Sequence, residues 1–268
     1  MGSIAGGSGR RDWPDEIKER IRRRYSRLIE ERDFPPGGTR RLLDAGYPPA
    51  VPERLPEELV AAYRGCGFPL AGLHLADIRF AVDLGCGAGI DARWIASEMG
   101  PDGTIVALDM TLPMLRMLTR LPDRHALSAG SVWPVAGDME HLPLASGIAD
   151  LVVANASFNL TVNKTAAFNE AYRILKPGGC LAVRELVREG ELPREILEDP
   201  LSDVTSLGGT VTEEDLRDAV VDAGFIDIRI TGRQPFSCVL SVQLNAVKPC
   251  TATTPLMPTS RRPGRSTQ

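Results

Sequence analysis

Lysine and histidine are scarce in this chain. Only four of its thirty-one basic residues are lysine, a bias that fits a GC-rich coding sequence and says nothing about function. Positive net charge is absent: the formal balance is −4, which argues against nucleic acid as the main partner. No apolar stretch approaches the length of a membrane span, and the first residues lack the apolar region of a signal peptide. The expectation is a protein with no membrane partner. Cysteine is limited to five residues, an odd number without paired spacing, which suits a reducing, cytoplasmic compartment. There is no internal repeat. The Asn-x-Ser/Thr triplets at Asn155, Asn159 and Asn163 are read as coincidence, because they start at the end of a buried strand.

What is present is a glycine loop in a telling place. An apolar run from Ile78 to Leu84 leads into Asp83-Leu-Gly-Cys-Gly-Ala-Gly-Ile-Asp91, and a helical run from Ile90 to Met99 leads out. Strand, glycine loop and helix form the layout that seats an adenosine-containing cofactor at the carboxyl end of a parallel strand. The Gly-x-Gly-x-Gly spacing is shorter than the dinucleotide form and suits a cofactor without a pyrophosphate. By itself such a loop can also be a plain turn.

The segments that follow extend the pattern. Thr104 to Asp109 reads as a second buried strand ending in an acid, placed to accept from both ribose hydroxyls; the same acid also reads as a cap for a helix starting at Leu112. Met110 is placed to cover an adenine face or to fill core. Asp138 and Met139 follow a short third strand, and Asp138 can accept from an adenine amino group. Ile148 to Asn155 is a fourth strand, and Leu175 to Val183 is a turn feeding a fifth. The alternation of strands and helices predicts an α/β, doubly wound (Rossmann-like) sheet.

These residues resemble the class I S-adenosylmethionine-dependent methyltransferases over about residues 78–190. The resemblance rests on Asp83-Leu-Gly-Cys-Gly-Ala-Gly, Leu108-Asp-Met, Gly137-Asp-Met-Glu-His-Leu-Pro and Leu175-Lys-Pro-Gly-Gly, in order and well spaced. It implies a seven-stranded mixed sheet with an N-terminal helical lid, and S-adenosylmethionine as the cofactor. It also implies cofactor-binding roles for Asp83, Gly85, Cys86, Gly87, Gly89, Asp109, Met110, Asp138, Met139 and Asn155. A narrower similarity, to the arsenite methyltransferase branch, spans about residues 58–230. It rests on Tyr63-Arg-Gly-Cys-Gly-Phe-Pro, Gly89-Ile-Asp91, the segment from Asn155 to Lys164, Ser206-Leu-Gly-Gly-Thr and Ala223-Gly-Phe. That branch binds trivalent arsenic through several cysteine thiolates. Cys66 stands at one such position, but Ala156 and Ser206 stand at two others. A hard serine hydroxyl is a poor substitute for a soft thiolate. Cys66 thus reads either as a substrate-side residue or as a small buried residue in a turn. No metal site is expected.

The chain divides into a flexible start (1–12), a helical lid with a Pro/Gly-rich loop (13–69), the cofactor-binding domain (70–248) and a disordered tail (249–268). Within the domain, 188–211 is expected to cap the substrate pocket. In the lid, Trp13, Ile17, Ile21, Tyr25, Leu28 and Ile29 form one helical stripe, with Pro14 near its start. Arg22, Arg23, Arg24 and Arg27 flank the stripe as a solvated face. Residues 33–56 read as a long loop, and Leu55 to Tyr63 as a short helix. Thr212 starts a later helix with Asp215 in a capping-box position, and Ile226 to Ile230 and Phe236 to Val247 are expected to pair as an antiparallel hairpin. By analogy with methyltransferase lids, Tyr25 is a candidate to face the reacting centre. Cys66 and His74 are the other catalytic candidates; His125 and His141 are weaker. The expected activity is methyl transfer to a small-molecule acceptor, including one of secondary metabolism. The alternatives are arsenite methylation through Cys66, and cofactor binding without methyl transfer.

Overall fold

The computed structural model describes residues 13–120, 130–199 and 201–250. The expectations for 1–12, for His125 and for all but the first two residues of the 249–268 tail lie outside the described residues.

The chain begins with α1 (Trp13–Glu30), followed by three short helices, α2 (Gly38–Asp44), α3 (Ala50–Arg54) and α4 (Glu57–Ala61). The alternating part follows as β1 (Phe80–Leu84), α5 (Ile90–Glu98), β2 (Thr104–Asp109), α6 (Leu112–Arg120), β3 (Ser131–Ala136), β4 (Ala149–Asn155), α7 (Lys164–Ile174) and β5 (Leu175–Arg188). Then come α8 (Arg194–Leu197), a 3-10 turn at Ser202–Val204, β6 (Val211–Thr212), α9 (Glu213–Asp222), β7 (Ile226–Phe236) and β8 (Val239–Val247). The sheet order is β3-β2-β1-β4-β5-β8-β7. The strands from β1 to β5 are mutually parallel, and β8 runs antiparallel to both β5 and β7.

Two apolar layers follow from strand periodicity. Val82, Leu84, Val106, Leu108, Val152 and Ala154 face one layer, where Phe168, Ile174, Leu216 and Val220 pack. Their neighbours Ala81, Ile105, Ala107, Leu151 and Val153 face the other, with Ile95, Leu42, Val51 and Leu55. A strand buried on both faces needs apolar residues at both parities, which is why these runs are nearly continuous. Pro134 and the exposed Trp133 fall on β3, where an edge position tolerates both.

The structure departs from the sequence expectations at four places. Among the described residues the expected seven strands form one continuous path, and a short eighth is added to it where Val211 and Thr212 pair with Val187 and Arg188 before α9 begins. A two-residue strand leaves no periodic signal. The 33–56 segment holds two helices rather than a loop; helices of seven and five residues are too short for periodicity to show. Trp13 lies on the predicted stripe but is exposed, while Ile17 and Ile21 are buried. Lys18 is buried as well, although charged. The capping box at Thr212 and Asp215 forms as expected: Asp215 N donates to Thr212 Oγ1 at 3.0 Å, and Thr212 N donates back to the Asp215 carboxylate.

Candidate cofactor cleft

The turn from β1 to α5 has three glycines with positive φ: Gly85 at 73°, Gly87 at 53° and Gly89 at 87°. Side chains rarely adopt these torsions. At Gly85 space is the second reason, since a Cβ would sit 2.5 Å from the Cβ of Ser157. The loop is held to β2 from the inside. Gly85 N and Cys86 N donate to Leu108 O at 2.8 and 2.9 Å, and Gly87 N donates to Asp109 Oδ2 at 2.9 Å. Asp109 Oδ1 accepts from Thr111 N at 2.7 Å, just before α6. Asp109 therefore organises both the loop and the start of the helix. An ionised carboxylate has about four acceptor positions, so capacity remains for a ligand.

Over this floor lies a cleft of about 1000 Å³, part of it open to solvent. Its walls include Asp83, Gly85, Cys86, Gly87, Asp109, Met110, Asp138, Met139 and Asn155, so nine of the ten residues read as cofactor-binding come together. Gly89 is the exception: it caps α5, and its α-carbon faces Leu118 rather than the cleft. From the lid side, Ile21, Tyr25, Tyr63 and Arg64 close the cleft.

The cleft is strongly acidic at one end. Asp83 is 1% exposed, and its Oδ2 has no hydrogen-bond partner. Burial, and then the charges of Asp91 and Asp109, push its carboxyl well above the usual range. Burial likewise raises Asp91 to about 6 and raises Asp109. An orphaned buried carboxylate oxygen beside two further acids fits a cationic ligand. S-adenosylmethionine carries a sulfonium and an ammonium, and the side-chain-free glycine floor leaves room for its backbone approach. The residues present fit that group.

Sequence reasoning missed the network above Asp83. Asn155 Nδ2, with two hydrogens to donate, faces Tyr47 Oη at 2.9 Å, Gly67 O at 2.8 Å and Asp91 Oδ2 at 2.9 Å. Asn155 Oδ1 accepts from Cys66 N at 2.9 Å, and Tyr47 Oη donates to Asp91 Oδ1 at 2.8 Å. Asn155 thus pins the 63–67 segment over the cleft. Tyr47 lies in the segment read as a loop, which gave no sign of it. Asp91 follows the glycine loop directly, and that position was the available signal.

Of the catalytic candidates, only Tyr25 lines the cleft. Burial raises its phenol above the ordinary value, and a hydrogen bond with Ser206 acts in the opposite direction. His74 is exposed in the segment before β1, His141 is exposed after β3, and neither lines the cleft. Cys66 is 4% exposed and lies behind the wall, packed with Ala156, Leu186, Leu192 and Val239. Burial, followed by the charge of Glu185, pushes its thiol far up. Ser206 Oγ donates to Ala156 O at 3.0 Å. The three positions that carry thiolates in the arsenite branch thus lie together, with one sulfur among them. All five cysteines are free, and no group of three His, Cys, Asp or Glu among the described residues is arranged to hold a metal. The 188–211 segment does not line the cleft. Its Val204 packs against Ile17 and Ile21 on the buried face of the lid helix, in a cluster that also takes in Tyr25, Met110 and Leu160 of the cleft wall.

A further buried acid lies on β5. Glu185 is fully buried, accepting from Leu186 N at 3.0 Å and Asn159 N at 3.3 Å. Burial raises its carboxyl to about 7 against these bonds. A folded-state value above the unfolded one means a stability contribution that is present at low pH and lost as pH rises through 7. Between pH 5 and 8 the wild type is expected to lose about 2–3 kcal/mol of unfolding free energy relative to Glu185→Gln. Urea titrations of both proteins at the two pH values check this. Parallel pH dependences would refute the assignment.

Among the described residues, no helix is long and apolar enough to cross a membrane. A family described as a methyltransferase domain matches residues 80–224. The chain is 34% identical to an arsenite methyltransferase of Halobacterium salinarum, over 62% of this chain and 42% of that protein. It is 33% identical to a demethylmenaquinone methyltransferase of Lactiplantibacillus plantarum, over 43% of this chain and 48% of that one. It spans about half the length of the curated relatives it matches. Among solved structures it resembles an arsenic(III) S-adenosylmethionine methyltransferase from Chlamydomonas reinhardtii. The TM-score is 0.59 and the identity 24%, covering 80% of this chain and 74% of that one, a likeness of fold. With a doubly wound sheet, a glycine floor and an acidic cleft at the carboxyl ends of its strands, the chain belongs to the methyltransferase-domain family, as a class I S-adenosylmethionine-dependent member resembling the arsenite branch.

Proposed function

We propose that the chain transfers a methyl group from S-adenosylmethionine to a small organic acceptor in a reducing, cytoplasmic compartment. The observation that carries this reading is the meeting of nine cofactor-type residues in one cleft, beside a single buried thiol. In the proposal, Asp109 holds the ribose hydroxyls, Asp138 and Met139 border the adenine with Met110, and Gly85, Cys86 and Gly87 line the ribose and methionine. Asp83 and Asp91 offset the positive charge of the amino-acid end. Asn155 contributes by holding the 63–67 segment in place.

When bound, the cofactor supplies an electrophilic methyl on a sulfonium. The chain aligns the acceptor and keeps water out. Ile21, Tyr25, Tyr63 and Leu160 supply apolar and aromatic wall on the lid side, and Ala156 adds a small one. No described histidine reaches the cleft, and the raised Tyr25 phenol stays protonated at neutral pH. Positioning and desolvation then carry the rate, with about 7–11 kcal/mol available in the best intramolecular cases.

Arsenite finds too few soft ligands here. The purified protein is expected to bind S-adenosylmethionine in calorimetry and to release S-adenosylhomocysteine when offered pooled organic acceptors. It is expected to form no methylated arsenic from arsenite and glutathione, and Cys66→Ser should leave cofactor affinity within about twofold, since the thiol lies behind the wall. Methylated arsenic that disappears with Cys66→Ser would replace this reading with arsenite methylation. Cofactor binding with no product from any acceptor would favour a non-methylating binder.

A further inference from the structure

We propose that Lys18, on the lid helix, is the positioning residue for adenine recognition: it holds Asp138 in place as the acceptor for the adenine amino group. The inference rests on the cofactor reading above.

Lys18 is a buried lysine on α1, a helix whose other charges are mostly solvated. Its Nζ lies 2.7 Å from Asp138 Oδ2 and 2.7 Å from Glu140 Oε2. Burial opposes its charge, but the two carboxylates outweigh this and the ammonium is held above its ordinary value. The two acids are not equivalent. Glu140 is fixed from behind, where its Oε1 accepts from Val162 N at 2.7 Å and Asn163 N at 3.1 Å. Asp138 is the more exposed of the two, at 30% against 5% of the side chain. Its Oδ1 accepts from Glu140 N at 2.9 Å.

Asp138 lines the cofactor cleft and also an outer groove between α1 and α6, whereas Lys18 lines only the groove. Lys18 therefore acts on the cleft through Asp138 and does not line it. Two carboxylates within reach of one ammonium are close neighbours, and without the cation their charges oppose each other. Glu140 is anchored by two backbone amides, so Asp138 is the one that turns away. That turn removes the acceptor that faces the adenine amino group. Docking of the lid helix and recognition of the base thereby become one event.

The test compares S-adenosylhomocysteine with S-inosylhomocysteine, whose 6-oxo group cannot donate. Calorimetry on the wild type is expected to show a preference of about ten- to a hundredfold for the adenine form, the value of a hydrogen bond to a charged group. Lys18→Met should reduce that preference to less than about threefold, while Lys18→Arg, which keeps the cation, should retain most of it. A purely structural role would lower both affinities and leave their ratio unchanged. If Lys18→Met does not fold, Lys18→Gln, which keeps a polar but uncharged side chain there and leaves both carboxylates in place, should show the same loss of preference. A full preference in a folded Lys18→Met protein, or none in the wild type, overturns the proposal. If the wild type binds neither compound, the cofactor reading itself falls.

Discussion

Asp109→Ala is expected to weaken S-adenosylmethionine binding by about a hundredfold or more. In the proposed site the carboxylate accepts from both ribose hydroxyls, and each hydrogen bond to a charged group is worth about 1.5–3 kcal/mol. A hundredfold corresponds to about 2.8 kcal/mol, so the loss of both bonds exceeds it. The same substitution frees Gly87 N and Thr111 N, which Asp109 holds at 2.9 and 2.7 Å. Asp109→Asn keeps one acceptor oxygen and should fall between wild type and alanine. Calorimetric titration of the three proteins decides the matter, with thermal melting run alongside to show that the loop survives. Equal affinities for all three would remove Asp109 from the ribose.

Asn155→Ala carries the largest expected cost in stability, about 3 kcal/mol or more. The amide nitrogen faces three oxygens, those of Tyr47, Gly67 and Asp91, while the amide oxygen meets Cys66 N. Removing it leaves buried groups without partners, each costing about 1–3 kcal/mol. For a chain of this size the melting temperature should drop by roughly 6–12 °C. Asn155→Asp should fare no better, because it offers an acceptor to a carboxylate and a carbonyl. Gly65 is part of the same fit: a Cβ there would lie 2.5 Å from Asn155 Nδ2. Chemical denaturation of the two variants measures the effect, and a loss below about 1 kcal/mol would show that water replaces the amide.

The floor of the cleft was legible because its requirements are local. Positive φ at Gly85 and Gly87 demands glycine within a few residues of a strand end, and Asp109 ends the next strand. The roof was not legible. Tyr47 meets Asp91 and Asn155 across 44 and 108 positions, distances over which no periodicity operates. Lys18 lies between Ile17 and Glu19 beside a stripe read for its apolar residues, and a lysine in a helix so rich in charge passes as part of a solvated face. The insert at 188–211 was placed by its position in the chain, and the packing of Val204 beside the cleft-wall residues Ile21, Tyr25 and Met110 is a contact that no local pattern announces. The double identity proposed for Asp109, cap or ribose ligand, also depended on contacts: it holds Thr111 N and keeps free acceptor capacity besides.

The roof is bolted to a strand made long after the floor. Ser241 Oγ donates to Cys66 O at 2.6 Å and Gln243 Nε2 donates to Pro69 O at 2.9 Å, contacts that span 175 and 174 positions. During synthesis the glycine floor can be complete while β8 is still inside the exit tunnel. For that interval the nascent chain has a glycine floor and no fixed roof. Until Val239–Val247 emerges, the 66–69 segment lacks both of these anchors, and the closed form of the cleft waits on a strand made long after Asp83 and Asp91.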